Sequence, residues 1–237
     1  MLLLSNVTML MKINKNGSFG IHNTTKRPGK IEYIVIHYVG ALGDAKDNVN
    51  HYNKLTTTNA SADFFVGHKG DIWQYNPDPK ARYCWAVGGT GKGTLYGKAT
   101  NKNTVHIEMC VKLKGCHAKP PAANHKDWYI TDETLSATID LTRHLMDLYG
   151  IPESRVIRHY DVTAKACPGV VGWNPLSGSV AAWKSFYAAI HTNELAEACK
   201  KLAAKGIIDS PDYWAKGKGY SDANTVLLIK KFANFIK

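Results

Sequence analysis

The sequence predicts an α/β fold, a mixed central β-sheet flanked by helices, with a small C-terminal helical module after it. Three observations carry this reading. Runs rich in β-branched and aromatic residues at 31–38, 104–111 and 156–157 alternate with longer stretches of helical period at 44–55, 131–150 and 179–191. The chain has 237 residues, 44% of them hydrophobic, enough for one full core with residues to spare. No stretch approaches the roughly eighteen consecutive apolar residues of a membrane span, so a membrane is not an expected partner.

The elements follow in order. Met1–Met11 starts apolar, but it lacks a basic n-region and its apolar run breaks after Leu4, so it is not read as a secretory signal. Met1, Met9 and Met11 are all available starts, and residues 1–27 read as an N-terminal extension. The run Ile31-Glu32-Tyr33-Ile34-Val35-Ile36-His37-Tyr38 lies between Pro28-Gly29 and Gly40 and reads as a buried strand. Asp44 is placed to N-cap a helix through Leu55. Asp63–Gly67 and Asp71–Tyr75 read as a β-hairpin turned by Gly67-His68-Lys69-Gly70. Residues 88–98 are rich in glycine and lysine but lack the G-x-x-x-x-G-K-[ST] pattern of a phosphate cradle, so a flexible loop is expected there. Thr104–Val111 is a strand, 116–128 a polar loop, and Thr131-Asp132-Glu133-Thr134 opens a helix that Gly150 stops. Val156-Ile157 is a short buried strand and Ser179–His191 an amphipathic helix.

The composition shifts near Thr192, which divides the chain into a main domain over 28–191 and a helical module over 192–237. Leu195, Ala198, Cys199, Leu202 and Ala203 share one face of a helix over 193–205, and a second helix is expected over 224–236. That module reads either as a helical hairpin packed on the main domain or as a wall-binding or self-association module. The sequence leaves the oligomeric state open. Five cysteines, an odd number without a C-x-x-C pair, argue against a disulfide framework and fit synthesis in a reducing cytoplasm. Cys84, Cys110 and Cys199 sit in apolar surroundings and are expected as small buried hydrophobes.

The chemistry concentrates in Arg158-His159-Tyr160-Asp161-Val162-Thr163-Ala164-Lys165-Ala166-Cys167-Pro168-Gly169. Imidazole and thiolate are both good zinc ligands, and the irregular loop between His159 and Cys167 can fold them around one ion. Catalytic zinc takes three protein ligands and keeps an open position. His37, ending a buried strand, is the best third ligand, although taken alone it reads first as a core histidine with its ring nitrogens hydrogen-bonded. Glu108 stands in an apolar strand where an unpaired carboxylate is costly, so burial near a cation would tune it as a general base. The other readings are a core ion pair or a solvent-facing carboxylate. Lys165, two residues before Cys167, is placed as an oxyanion donor or is an ordinary loop lysine. His106-x-Glu108 suggests a zinc deaminase, but that signature needs a later P-C-x-x-C, which this chain lacks.

Four segments in order, Tyr33–Tyr38, Ala60–Val66, Ile107–Cys110 and Arg158–Gly169, resemble the zinc-dependent N-acetylmuramoyl-L-alanine amidases of the amidase-2 type. That family includes phage endolysins and animal peptidoglycan recognition proteins, and the likeness covers about residues 28–190, with prophage endolysins of Gram-positive hosts the nearest pattern. The resemblance implies an amidase-2-like fold, a Zn2+ cofactor held by His37, His159 and Cys167, Glu108 and Lys165 as catalytic residues, and peptidoglycan as substrate. Some short phage members use a tyrosine in the segment matching Ala60–Asp63; here it holds Ala62, which shifts the catalytic base onto Glu108. Trp85 and His106 are expected to touch substrate, with core packing the alternative for Trp85. A non-catalytic recognition module of the same fold is the alternative function. The net charge of +11 suits the anionic polymers of Gram-positive walls. It suits nucleic acid as well, but no helix-turn-helix, RNP-type or paired-cysteine finger pattern occurs, so nucleic acid is not an expected partner. The protein is thus expected to be made in a host cytoplasm and to act on the bacterial cell wall.

Overall fold

The computed structural model describes residues 12–16, 23–56, 60–214 and 228, with the side chains of 191–198 and 212 left outside that description. In chain order the strands are β1 (Ile13–Lys15), β2 (Thr24–Lys26), β3 (Tyr33–Tyr38), β4 (Phe64–Val66), β5 (Ile72–Gln74), β6 (Arg82–Cys84), β7 (Thr104–Met109), β8 (Lys112–Leu113), β9 (Trp128–Tyr129) and β10 (Val156–Arg158). The helices are α1 (Ala45–Lys54), α2 (Asp132–Tyr149), α3 (His159–Thr163), α4 (Ala181–Ala204) and α5 (Pro211–Trp214). The main sheet has the order β1-β5-β4-β7-β3-β10. Its centre is parallel, β4 with β7, β7 with β3 and β3 with β10, whereas β5 joins β4 as the expected antiparallel hairpin. The mixed sheet and its helices match the expected fold class.

Local chemistry explains the elements. The two central strands β3 and β7 bury Ile34, Val35, Ile36, Val105 and Ile107 completely, as parallel strands covered on both faces require. Asp44 caps α1 through a capping box with Asp47, and its Oδ1 also accepts the amide of His68, tying the helix to the hairpin turn. Thr131 caps α2, and Gly150 ends it in the left-handed conformation at φ 63°. The buried face of α2 carries Thr134, Thr138 and Thr142 beside Leu141, Leu145 and Met146. Each hydroxyl is satisfied: Thr134 donates to Gly67 O at 2.8 Å, and Thr138 and Thr142 donate one turn back at 2.7 Å. Short strands such as β1, β2, β6 and β8 have too few residues to show a period, and the sequence reading missed them.

Two expectations need revision. Residues 88–98 are not loose: Gly93 N donates to Val162 O at 3.0 Å and Leu95 N to Asp161 O at 2.8 Å. A Cβ at Gly91 or Gly93 would collide with the carbonyls of Thr163 or Asp161, so glycine here permits close backbone contact rather than mobility. Secondly, α4 runs through Thr192 without a break. No glycine or proline lies between Ala181 and Ala204, so the change of composition does not interrupt the hydrogen-bond ladder.

The chain forms two compact units, Met1–Trp183 and Lys184–Lys237. Within the second, Cys199, Ile207 and Ile208 form a small core with Leu202, Ala203, Trp214 and Leu228. The helix expected over 224–236 falls outside the described residues apart from Leu228. Cys84, Cys110 and Cys199 are buried, as expected. Among the described residues no helix is long and apolar enough to cross a membrane.

A buried guanidinium anchors the sheet. Arg27, 6% exposed, donates to Pro79 O and Lys102 O at 2.7 Å and to Thr104 O at 2.9 Å. Nearby, the fully buried Asp63 accepts from Asn76 Nδ2 at 2.7 Å and from the His106 amide at 2.8 Å. Burial raises the Asp63 carboxyl to about 6, against the opposing pull of Asn76 and Arg27. Replacing Arg27 by Leu strands three carbonyls in the interior. The expected loss is on the order of 3 kcal/mol, read as a lower urea midpoint with an unchanged slope.

Candidate metal centre and catalytic cleft

The parallel register builds the centre. Arg158 of β10 pairs with Ile36 of β3, so the next residues, His159 and His37, stand side by side; their ring centroids lie 4.9 Å apart. In the same row His37 pairs with Glu108 of β7. Cys167 arrives by the loop after α3. Ala164, in the left-handed conformation at φ 57°, ends that helix, and Tyr160 N donates to Cys167 O at 2.9 Å. The loop is braced before Cys167 by the Arg158–Asp161 ion pair, closest at 2.6 Å, after it by Asn174 Nδ2 donating to Pro168 O at 2.7 Å, and across by Arg158 Nη1 donating to Trp173 O at 3.0 Å.

The donor atoms of His37, His159 and Cys167 all lie within 4.8 Å of one another. Their residues are 1%, 3% and 4% exposed. Cys167 Sγ stands 3.7 Å from His37 Nδ1. A tetrahedral zinc with ordinary bond lengths separates a nitrogen and a sulfur ligand by about 3.6 Å, so this edge has the right length.

Hydrogen bonding assigns the tautomers. The Thr104 hydroxyl donates to Thr100 O at 2.8 Å, so it accepts from His106 Nε2 at 2.9 Å. His106 Nδ1 then carries a lone pair and accepts from His37 Nε2 at 3.2 Å. His37 Nδ1 is thereby left unprotonated and faces Cys167. His159 Nε2 donates to Gly88 O at 3.0 Å, which likewise leaves its Nδ1 free to bind. Burial lowers both imidazoles, with further lowering from neighbouring positive charge; His159 falls to about 4. Neutral imidazoles with outward lone pairs are what a metal ligand requires. Burial and then Glu108 push the Cys167 thiol up, a direction that a bound cation reverses. The residues present therefore fit zinc.

Glu108 Oε1 lies 3.9 Å from His37 Nδ1. The side chain keeps 16% of its surface exposed, while Oε2 is enclosed and accepts no hydrogen bond. Burial raises the carboxyl to about 8, and Lys165 pulls the other way. Such a group can take and return a proton near neutrality. Lys165 is exposed on the rim and lines the same cleft of about 320 Å³ as Glu108, His37, His159 and Cys167. Trp85 lines it too, half-buried, held through Ser61 by Trp85 N to Ser61 Oγ at 3.0 Å.

His106 departs from expectation. It is fully buried and lies behind His37, not in the cleft, so the structure gives it no surface for substrate. Its strand alternation placed it on the correct face, but one residue layer too deep. The sequence reading also missed Tyr52 and Tyr38, which line the cleft, and the Gly88 carbonyl. Tyr52 stacks on Phe65 at 5.5 Å, and burial and then Glu108 raise its hydroxyl. Burial, then Cys167 and Glu108, push Tyr38 up to about 12. A tyrosine in a helix with no motif around it carries no local signal of such a position.

Together these features define an α/β protein with a buried His/His/Cys centre and an adjacent carboxylate at the ends of parallel strands. The chain belongs to the N-acetylmuramoyl-L-alanine amidase family, whose model matches residues 27–170. It is similar to the N-acetylmuramoyl-L-alanine amidase CwlL of Bacillus licheniformis, 27% identical over 168 residues, covering 67% of this chain and 42% of CwlL. It is also similar to the amidase BlyA of Bacillus subtilis (strain 168), 26% identical over 167 residues, covering 62% and 40%. The chain thus spans less than half the length of these relatives. Among solved structures, PlyL aligns at a TM-score of 0.54 with 22% identity, covering 76% of this chain and 97% of PlyL. The catalytic domain of XlyA aligns at 0.51 with 24% identity, covering 76% and 99%. At those identities the two structures speak to the fold alone.

The hydrogen-bond chain behind His37 yields a test. His106→Ala should leave Nε2 of His37 without its acceptor and loosen the ring. Zinc affinity should fall about 10–100-fold in a competition titration while the protein stays folded by circular dichroism.

Proposed function

We propose that this chain is a zinc-dependent hydrolase that cuts the amide bond between N-acetylmuramic acid and L-alanine in bacterial peptidoglycan, as a phage or prophage endolysin. The observation that carries the proposal is the lateral row His159, His37 and Glu108, closed by Cys167, at the floor of an open cleft. The family and the names of its curated relatives supply the bond to be cut.

His37, His159 and Cys167 would hold the ion. Zinc there supplies Lewis acidity toward the amide carbonyl and the attacking water. Glu108 takes the proton of that water and returns it to the leaving nitrogen of L-alanine. The raised carboxyl suits both halves of the transfer. Lys165, on the cleft rim, offers its ammonium to the oxygen that gains charge in the transition state. Trp85 and Tyr52 give the cleft apolar walls against which a sugar or a stem peptide can lie. His106 acts through His37 as a positioning residue.

Digestion of purified Gram-positive peptidoglycan, followed by mass spectrometry, tests the reading. New L-alanine amino termini, abolished by chelator and restored by zinc, are expected. New reducing sugar ends would mean a glycosidase, and binding without cleavage would mean a recognition module. Glu108→Gln should retain zinc and fold yet lose about 10²–10⁴-fold in turnover. Lys165→Met should lower kcat by about 10²–10³ with little change in KM; a change in KM alone would make Lys165 a binding residue.

The second unit, with Tyr213 and Trp214 in edge contact at 5.4 Å and several lysines in its sequence, is proposed to add affinity for the wall. The full chain should sediment with intact walls more strongly than with walls stripped of anionic polymer. The difference should vanish as salt rises.

A further inference from the structure

We propose that His117, His125 and Asp127 form a second metal site, separate from the His37/His159/Cys167 centre. It would take a divalent transition metal of the zinc class and pin the loop between β8 and β9. The three residues offer donor atoms within 4.8 Å of one another. Asp127 Oδ2 lies 2.9 Å from His117 Nε2 and 3.6 Å from His125 Nδ1. In a tetrahedral zinc site, nitrogen and oxygen ligands stand about 3.4 Å apart, a value these two edges bracket. Two imidazoles and a carboxylate are a donor set that suits zinc, and by the usual affinity order also cobalt, nickel and copper.

His125 Nδ1 accepts the backbone amide of Asp127 at 3.3 Å, so that nitrogen carries a lone pair. The same nitrogen stands 3.6 Å from Asp127 Oδ2, so an ion bound between them would take that lone pair in place of the amide. His117 Nε2 faces a second oxygen as well, Lys114 O at 3.1 Å. The His117 and His125 rings meet edge to face with centroids 5.5 Å apart, which aims both at the same carboxylate. Side-chain exposures of 22%, 39% and 24% for His117, His125 and Asp127 let an ion enter from solvent. Cys116, exposed and not in a disulfide, adjoins His117 in the sequence.

The loop has something to hold. Asn124 N donates to Gly169 O at 2.8 Å, and Asn174 Nδ2 donates to Asn124 Oδ1 at 2.8 Å. Asn174 also bonds Pro168 O, so the loop abuts the segment that carries Cys167. Trp128, at the loop's end, donates to Ala122 O at 3.2 Å and meets Tyr38 of the cleft edge to face at 6.2 Å. A metal on His117, His125 and Asp127 would cross-link the two arms of this loop and steady that wall.

The test is a metal count on the full chain. Wild type, Cys167→Ala and His117→Ala/His125→Ala are equilibrated with zinc alone at one buffered free concentration. The double histidine variant should hold one equivalent less than wild type, and Cys167→Ala should retain the second equivalent. In Cys167→Ala, zinc should slow amide exchange over 114–127. Asp127→Asn, which keeps the shape and can still hydrogen-bond, should weaken that site by more than about 10-fold without unfolding the loop. Equal zinc in wild type and the double variant would overturn the proposal, as would zinc that leaves exchange in 114–127 unchanged. Both readouts are independent of hydrolysis, so failure of the amidase reading leaves them intact.

Discussion

The register of three parallel strands is the constraint on which the site depends. Adjacent strands stand about 4.8 Å apart, which sets the lateral spacing of whatever side chains share a row. Here one row holds Glu108 and His37, continued by His159 just past the end of β10. A slip of β7 by one residue would turn Glu108 to the opposite face and bring an apolar neighbour to the centre. Two polar anchors hold that strand. The Arg27 guanidinium binds the carbonyl of Thr104 at its start, and Asp63 binds the amide of His106 two residues on. Both anchors are buried, so a slip would leave charge in the interior without partners, a cost beyond that of a lost hydrogen bond.

The electrostatics follow from this placement. The centre gathers groups that burial drives toward neutrality: two imidazoles lowered, a carboxyl and a thiol raised. A buried cluster of neutral groups with lone pairs converging on one point is well matched to a cation. Behind it, the chain from Thr100 O through Thr104 and His106 to His37 runs in one direction only, because a carbonyl terminates it. That terminal acceptor, six residues before His106 along the chain, decides which nitrogen of His37 faces the cleft. The Gly88 carbonyl does the same for His159.

The parts legible in sequence were those with a local signature. Helix caps at Asp44, Thr131 and Gly150 are single-residue devices and appear where their chemistry places them. His37, His159, Cys167 and Glu108 stood out because ionisable side chains in or beside apolar runs demand a partner, and the fold gathers all four at one cleft. His106 carried the same signal as Glu108 from the same strand. Its depth depends on β3 and on Thr104, and no periodicity encodes that. Residues 88–98 were misjudged because glycine has two uses, freedom and close approach, and only the Asp161 and Thr163 carbonyls across the gap distinguish them. The continuity of α4 was missed because a shift in composition resembles a boundary, whereas a helix stops only where capping, glycine or proline stops it.

The division of labour between sheet and loop bears on how the cleft can work. His37 and Glu108 sit on strands and have little freedom to move, whereas Cys167 and Lys165 share a turn outside the sheet. That turn is not free either. Gly169 packs so closely on the Tyr38 ring that a Cβ could not fit, and Tyr38 is itself on the strand that ends the His37 row. The loop is thus referenced to the same strand that carries His37. Lys165 alone points outward from this frame, exposed, while still acting on the Glu108 carboxyl through space. A substrate entering the cleft would displace the water that screens the two from each other, and their attraction would strengthen as it did so. In the proposed mechanism, the group that would stabilise charge on the substrate and the group that would move the proton are therefore coupled through the cleft itself.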